Sequence, residues 1–435
     1  MTALTCGLHK PIKYIKTFQS HKKSARTFIR EIHPKSPKKK RLKQIMNQVR
    51  IGIIGLGHIG TAHANRIFSG NIKGMKLCAV CDIEPSRIAF ANEKLPGVAT
   101  FDRWQELIES GLCDAVIVST PHKLHTEIAS FALKAGLHVM SEKPQDISVT
   151  KAEKMNELAR KSDKLYAIMF NQRTNPLFIR LREMVKGGEL GEIKSFSWII
   201  TNWYRTQYYY DEGSWRATWS GEGGGVLLNQ AVHNLDIWQW IFGMPSEITA
   251  FCDVARYHNI EVEDSATIFA RYPSGATGTF ITTTGECPGT NRLEAAGTRG
   301  KVVIENGVLK WWRLTEDERD ICKNVRIPGP QPEMEYSEFK PENGGAAHAG
   351  VLQAFADAIL TGSEPVAYGE EGINELMISN AAYLSQWLGN QPVRLPIDGE
   401  LFDRLLAERQ ESSSEKTVAD KEIAGEYSTR WSVKW

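Results

Sequence analysis

The feature that most constrains this chain is an apolar run that ends in a glycine turn and opens a helix. Residues 49–55 read Val-Arg-Ile-Gly-Ile-Ile-Gly, the pattern of a short buried strand. Gly55-Leu56-Gly57-His58-Ile59-Gly60 follows at once, and residues 58–69 read as a helix. A Gly-x-Gly-x-x-Gly in this setting gives each glycine a task. Gly55 makes the tight turn, Gly57 lets the backbone approach a pyrophosphate, and Gly60 allows close helix-on-strand packing. The helix start, at His58 and Ile59, then offers amide N–H groups and a positive dipole end to phosphate. The hexapeptide alone also fits a plain glycine turn. Asp82, 22 residues beyond Gly60 at the end of the next strand, favours a dinucleotide site. A carboxylate there accepts bonds from ribose hydroxyls and repels a 2′-phosphate, which selects NAD over NADP. Arg87 lies close enough in sequence to soften that choice.

The same alternation continues. Strands are expected at 77–81, 114–119, 137–140 and 164–170, with a helix at 124–135, which implies a doubly wound parallel sheet. After about residue 190 the pattern changes. Runs at 193–201, 247–255, 265–272, 276–283 and 301–305 are rich in Val, Ile, Thr and aromatics, with turns such as Pro273-Ser274-Gly275 between them, as in an antiparallel sheet. Helical patterns return at 351–360 and 373–388, and from Gln410 the chain reads as a polar tail. At 435 residues two domains are the default. No run of about 18 apolar residues is present, so no membrane span is expected. There is no apolar leader segment, and seven cysteines, an odd number, do not form a disulfide framework. Both point to the cytoplasm.

The net charge of +2 hides an asymmetry. Residues 1–48 carry 13 Lys and Arg against one acid, Glu31, while the remainder carries 40 bases and 50 acids. The acidic body is therefore not expected to bind nucleic acid. The basic arm, with Lys38-Lys39-Lys40-Arg41, reads as a solvated extension. A tether to nucleic acid or a membrane surface is a weaker reading. A transit peptide is weaker too, because Lys outnumbers Arg and Ser. Met46 stands just before the first strand, so residues 1–45 are expected to be dispensable.

Two further segments carry chemistry. Glu142-Lys143-Pro144 follows the strand at 137–140, and ligands of open parallel sheets lie at the carboxyl ends of strands. Lys143 there can bond a substrate hydroxyl and ease its deprotonation, although a lone surface lysine would look the same. Gly223-Gly224-Gly225 precedes an apolar helix in which Asn229 and His233 stand at i and i+4, on one face. Asp236, three residues on, is placed to orient the His233 imidazole, which can cycle a proton near neutral pH. A satisfied core histidine is the bland alternative.

Together the glycine fingerprint, Glu142-Lys143-Pro144 and the Gly-Gly…Asn229…His233…Asp236 segment resemble the Gfo/Idh/MocA oxidoreductases, over about residues 49–395. The resemblance implies a Rossmann doubly wound parallel sheet domain (49–170) and an α+β domain with an open-faced, mainly antiparallel sheet (171–395). Residues 1–48 and 396–435 are left as extensions. It implies an active site between the domains and a homodimer or homotetramer formed through the open face. It assigns Lys143 as the catalytic lysine and His233 as the acid–base histidine. Asn229 departs from the aspartate many members carry, and an amide can only orient or hydrogen-bond. Ser119-Thr120-Pro121-His122, His125, Glu142 and Gln172-Arg173 are expected near the cofactor.

Residues 198–219 hold Trp198, Trp203, Tyr204, Tyr208, Tyr209, Tyr210, Trp215 and Trp219, with Arg205 and Arg216 interleaved. Flat faces with polar edges suit a sugar ring, and the alternative is that they pack a sheet or interface. Trp215-Arg216 resembles a family element near nicotinamide and substrate. With Asn202-Trp203-Tyr204-Arg205-Thr206 it also looks like members that oxidise C3 of glycosides. Tyr204, Arg205, Trp215, Arg216, Asn229, Lys143 and His233 are thus the expected substrate contacts. Cys78-Ala79-Val80-Cys81 has a metal or redox spacing, but in a strand i and i+3 point to opposite faces, and no second pair exists. His122 and His125 match a ligand pair by spacing alone, and no metal is expected. The expected activity is NAD-dependent oxidation of a sugar-like hydroxyl. Tightly bound, recycled NAD giving net cleavage or exchange through a keto sugar is a second possibility, and a non-catalytic NAD-binding regulator a third.

Overall fold

The computed structural model describes residues 47–213 and 215–414; the basic arm, Met46 and residues 415–435 lie outside them. Six short strands form the first sheet: β1 (Val49–Ile54), β2 (Met75–Cys81), β3 (Ala99–Phe101), β4 (Ala115–Val118), β5 (His138–Ser141) and β6 (Tyr166–Ile168). All neighbours are parallel, in the order β3-β2-β1-β4-β5-β6. β4 is buried throughout and β1 at all but Arg50, because helices cover both faces; that is why both read as apolar runs rather than alternations. The order reverses between β1 and β4, so the ligand crevice of such a sheet opens at the ends of these two strands.

One helix of this layer comes from far along the chain. Val351, Leu352, Phe355, Ala356 and Ile359 of helix Ala347–Thr361 share a core with Val49, Ile51 and Ile53 of β1. The sequence reading puts this helix among residues 171–395 of the second domain. Its apolar stripe says only that it must be covered, not by which sheet. A second departure concerns Cys78 and Cys81. The register of β2 on β1 slips by one residue, so that Ile51 faces Leu77 but Gly52 faces Ala79. The bulge at Cys78 brings both cysteines to the same core cluster rather than to opposite faces. Burial pushes the Cys81 thiol up to about 12, and both thiols are free.

The second sheet comprises β7 (Ile193–Ile200), β8 (Glu247–Val254), β9 (Glu263–Arg271), β10 (Thr277–Thr283), β11 (Asn291–Gly297), β12 (Gly300–Glu305), β13 (Val308–Leu314), β14 (Met334–Phe339) and β15 (Val393–Arg394). Their order is β14-β13-β12-β11-β7-β10-β9-β8-β15, antiparallel except where β7 runs parallel to β10. Helices Pro176–Lys186, Val232–Phe242 and Gly372–Trp387 pack on one face in a single core. The other face is open, with Phe251 55% and Phe269 38% exposed. Strand β14 is exposed along its whole length, with Met334, Tyr336 and Phe339 on the surface.

The first residues of the polar run, Gln410 and Glu411, close helix Gly399–Glu411, and Gln410 Nε2 donates to the Trp219 carbonyl at 3.2 Å; the run's residues 415–435 lie outside the described residues. Beyond it the Ser414 amide and hydroxyl both donate to Glu261 Oε1, at 2.8 and 2.6 Å. No helix among the described residues is long and apolar enough to cross a membrane.

Candidate active site

The glycine fingerprint builds its turn by close approach. Gly55 has φ +94°, and a side chain at Gly60 would place its Cβ 1.9 Å from the Gly55 carbonyl oxygen. Only glycine fits either position. A Cβ on Gly57 would meet nothing within 4 Å, so open space lies where helix His58–Phe68 begins, and no side chain caps that helix. Across the crevice, the buried hydroxyls of Ser119 and Thr120 have no protein partner among the described residues. Asp82 Oδ2 accepts from the Leu56 amide at 2.6 Å and Oδ1 from the Glu84 amide at 2.9 Å. The carboxylate is thereby fixed beside the glycine turn, half-buried, with Arg87 in the next helix, Pro85–Lys94. A helix start with no side-chain cap, open room above Gly57, two hydroxyls unpartnered among the described residues and a fixed carboxylate fit NAD.

Lys143 follows β5 and is half-buried; its Nζ donates to the Asn229 carbonyl at 3.1 Å. Burial lowers its pKa, Glu142 opposes that, and Arg216 reinforces it. His233 stands in the first turn of helix Val232–Phe242 with a buried Nδ1 that has no hydrogen-bond partner among the described residues. Burial holds its imidazole neutral, well below the ordinary histidine range, and the Lys143 charge adds to the effect. Glu142 is buried against His63, whose Nε2 lies 2.9 Å from Oε1. Burial raises its pKa, but the His63 bond and charge outweigh that and bring the carboxylate down to about 2.

Several expected roles change. Asn229 is not one helical turn before His233. It lies in the tight turns that precede the helix, with its amide bonded to the Gly225 carbonyl at 3.0 Å. Its backbone holds Lys143, while its side chain donates to Glu222. Asp236 does not orient His233. It takes Arg173 Nε at 2.9 Å and Nη2 at 2.7 Å, and Gln239 Nε2 at 2.9 Å. Arg173 also reaches Glu371 through Nη1 at 2.6 Å, and its side chain is 2% exposed. It lies in the one-turn helix Asn171–Thr174 with the buried Gln172, and its charge is spent inside the protein rather than on a cofactor. His125 is likewise consumed: Nδ1 bonds the Pro144 carbonyl at 2.7 Å and Nε2 the Thr120 carbonyl at 2.8 Å. It holds the Thr120 and Lys143-Pro144 loops together.

The aromatic segment divides in two. Trp198, Trp203, Tyr210 and Trp219 are core residues, while Tyr204 and Tyr208 are 47% and 40% exposed. Tyr209 gathers the polar side chains of this segment. Its hydroxyl accepts from Arg216 Nη1 at 2.8 Å and Gln230 Nε2 at 3.1 Å, and the Arg205 and Arg216 guanidinium groups lie 5.1 and 4.7 Å from its ring centre. Arg205 otherwise donates back to the Trp203 and Tyr204 carbonyls. Trp215 meets His122 edge-on at 5.3 Å, and His122 Nδ1 lies 3.2 Å from the Glu222 carbonyl. Thus the 119–125 and 215–222 loops, one from each sheet layer, close on each other beside Lys143.

Two family models match the chain: "Oxidoreductase family, NAD-binding Rossmann fold" over residues 49–170, and "GFO/IDH/MocA C-terminal domain" over 178–303. The chain belongs to the Gfo/Idh/MocA oxidoreductase family. It is 28% identical to a myo-inositol 2-dehydrogenase of Thermotoga maritima, over 77% of this chain and 95% of that one. It is 32% identical to the D-glucoside 3-dehydrogenase of Escherichia coli over 46% of this chain and 55% of that one. Among solved structures it is similar to the WlbA dehydrogenase of Chromobacterium violaceum in complex with NADH and UDP-GlcNAcA. That likeness has a TM-score of 0.69 and 26% identity, over 81% of this chain and 97% of the other. The chain is thus an oxidoreductase that binds NAD.

Four residues near the site carry no motif of their own. Glu263 of β9 accepts from the Gly225 and Leu227 amides and the Tyr383 hydroxyl, and a Cβ on Gly225 would stand 1.9 Å from the Glu263 carbonyl oxygen. This contact explains Gly225, while a Cβ on Gly223 would meet Ile147 and one on Gly224 the Tyr383 hydroxyl. Burial lifts the Glu263 carboxyl to about 7. His348, in the helix that crosses from the far end of the chain, lies 5.8 Å from His63 ring to ring, and burial lowers it to about 4. Glu222 is buried between Ala217 and Asn229. Glu375 is fully buried with neither oxygen bonded among the described residues, and burial holds it neutral. Glu263, His348 and Glu375 depend on neighbours more than 30 residues away, beyond the reach of local spacing, whereas Glu222 bonds Ala217 and Asn229 five and seven residues along the chain.

Proposed function

We propose that this oxidoreductase moves a hydride between NAD and a secondary hydroxyl carbon of a sugar, glycoside or cyclitol, with C3 of a glycoside one of the candidate positions. One observation carries the reading: a half-buried ammonium, Lys143, stands at the carboxyl edge of the parallel sheet beside a buried neutral imidazole, His233. Bound NAD supplies the hydride acceptor. As hydride leaves carbon, negative charge gathers on the hydroxyl oxygen, and the Lys143 ammonium is placed to stabilise it. His233, neutral through burial, takes the hydroxyl proton. The 119–125 and 215–222 loops, joined at His122, exclude water on one side. The names of the relatives support the substrate class, since they act on inositol and on D-glucosides. Exposed Tyr204 and Tyr208 offer faces for a sugar ring. The exposed apolar residues of the open sheet face suit a homodimer or homotetramer.

The test is a panel of alkyl glycosides and inositols with NAD, read as absorbance of NADH. Turnover that collapses in Lys143→Ala and His233→Ala supports the assignment. Full turnover in either variant overturns it. Bound NADH that persists without net release, while product forms, would move the reading to recycled NAD.

A further inference from the structure

We propose that Glu222 is the positioning carboxylate of this site, fixing Lys143 and keeping it charged through Asn229. The inference rests on Lys143 as the alkoxide-stabilising group.

A buried ammonium needs a nearby anion, because burial alone drives it towards the neutral amine. Asn229, whose backbone holds Lys143 Nζ, has a neutral side chain. Three carboxyls from three parts of the fold face Lys143: Glu142, Glu222 and Glu375. Glu142, bonded by His63 at 2.9 Å, supplies the larger favourable charge at Lys143. Glu375 is held neutral by burial. Glu222 adds to Glu142, and among the described residues it is the one of the three bonded to Asn229. Oε2 accepts from the Ala217 amide at 2.6 Å, and Oε1 accepts from Asn229 Nδ2. The Ala217 amide belongs to a residue at φ 57°, in the left-handed region that alanine disfavours. The bond therefore pins a strained turn next to Trp215 and Arg216. Burial raises the pKa of Glu222, and Arg216, the Ala217 and Asn229 bonds and Lys143 oppose it. The remaining charged or titratable neighbours of Lys143 are Arg216, His122, His233 and His348.

Glu222 thus bonds the Asn229 side chain while the Asn229 backbone carbonyl bonds Lys143, and one residue carries the anion's influence to the ammonium. Moving the carboxylate one link along the chain should preserve it, and that makes a rescue experiment possible. The full-length protein is labelled with acetic anhydride across a pH series, without cofactor or substrate, and Lys143 acetylation is read by mass spectrometry. In Glu222→Gln the unprotonated fraction of Lys143 rises. Labelling at a given pH below its midpoint is expected to be about tenfold faster, one pKa unit. The alkaline limb of kcat/KM moves to lower pH by a similar interval. Adding Asn229→Asp to Glu222→Gln returns both towards the parent. Unchanged labelling and limb in a folded Glu222→Gln overturn the proposal, as does a double variant that shows no return. Should Glu222→Gln not fold, Asn229→Asp alone is the test: slower labelling supports the coupling, and unchanged labelling overturns it. Labelling needs no turnover. Failure here is therefore distinct from failure of the hydride-transfer reading, which Lys143→Ala reports.

Discussion

His233 and Asp236 lie three residues apart on one buried helix, and they have opposite fates. Asp236 is closed inside a full set of partners: two bonds from Arg173 and one from Gln239, with Glu371 completing the guanidinium's shell. Burial works against the Arg173 charge, and the two carboxylates overturn it, raising the pKa. His233 has an Nδ1 unpartnered among the described residues and a neighbouring ammonium, and its pKa is pushed down. Burial with complete pairing makes a structural cluster, whereas burial without it leaves a group ready to exchange a proton. Lys143, held by one carbonyl, belongs to the second kind.

The comparison can be broken at either end. The largest effect is expected from Lys143→Met, which should lower kcat/KM by roughly 10²- to 10⁴-fold. Its urea midpoint should be unchanged or higher, because a buried charge is removed; a fall in stability with activity kept would put Lys143 in the structural class. Arg173→Met should act the other way. Leaving Asp236 buried and unpaired costs about 3–5 kcal/mol, visible as a lower urea midpoint, whereas a stable but inactive variant would move Arg173 into the chemistry. The pH profile sharpens the contrast. Activity should fall on the acid side as His233 is protonated, at a pH below its ordinary 6.5, because burial lowers it. It should fall on the alkaline side as Lys143 loses its proton, below its ordinary 10.5. In Asp236→Asn both limbs should stay where they are, if it survives folding, since Asp236 does not face His233. The smallest effect is expected from Asp82→Ala: NAD binding weaker by about tenfold, from the loss of charged hydrogen bonds, with reduced preference over NADP, measured by fluorescence titration.

The elements around the cofactor were the most legible. A strand buried on both faces must be apolar throughout, and a turn that brings Gly60 to 1.9 Å from the Gly55 carbonyl admits no side chain. Such constraints act within a few residues and leave a mark at fixed spacing. The strand Asn291–Gly297 left none, being built of small and charged residues.

The sequence by itself determined the parallel sheet and its glycine turn, and it singled out Lys143 and His233 as the groups to watch. Tertiary structure alone decided who their neighbours are. It sent Asp236 to Arg173, spent His125 on two loops, delivered helix Ala347–Thr361 back to the first sheet, and placed Glu222 against Asn229. The physical reason is range. Backbone conformation and amphipathic period are set by adjacent residues. The partner of a buried charge is whichever group the packed fold brings within about 3 Å, from any distance along the chain.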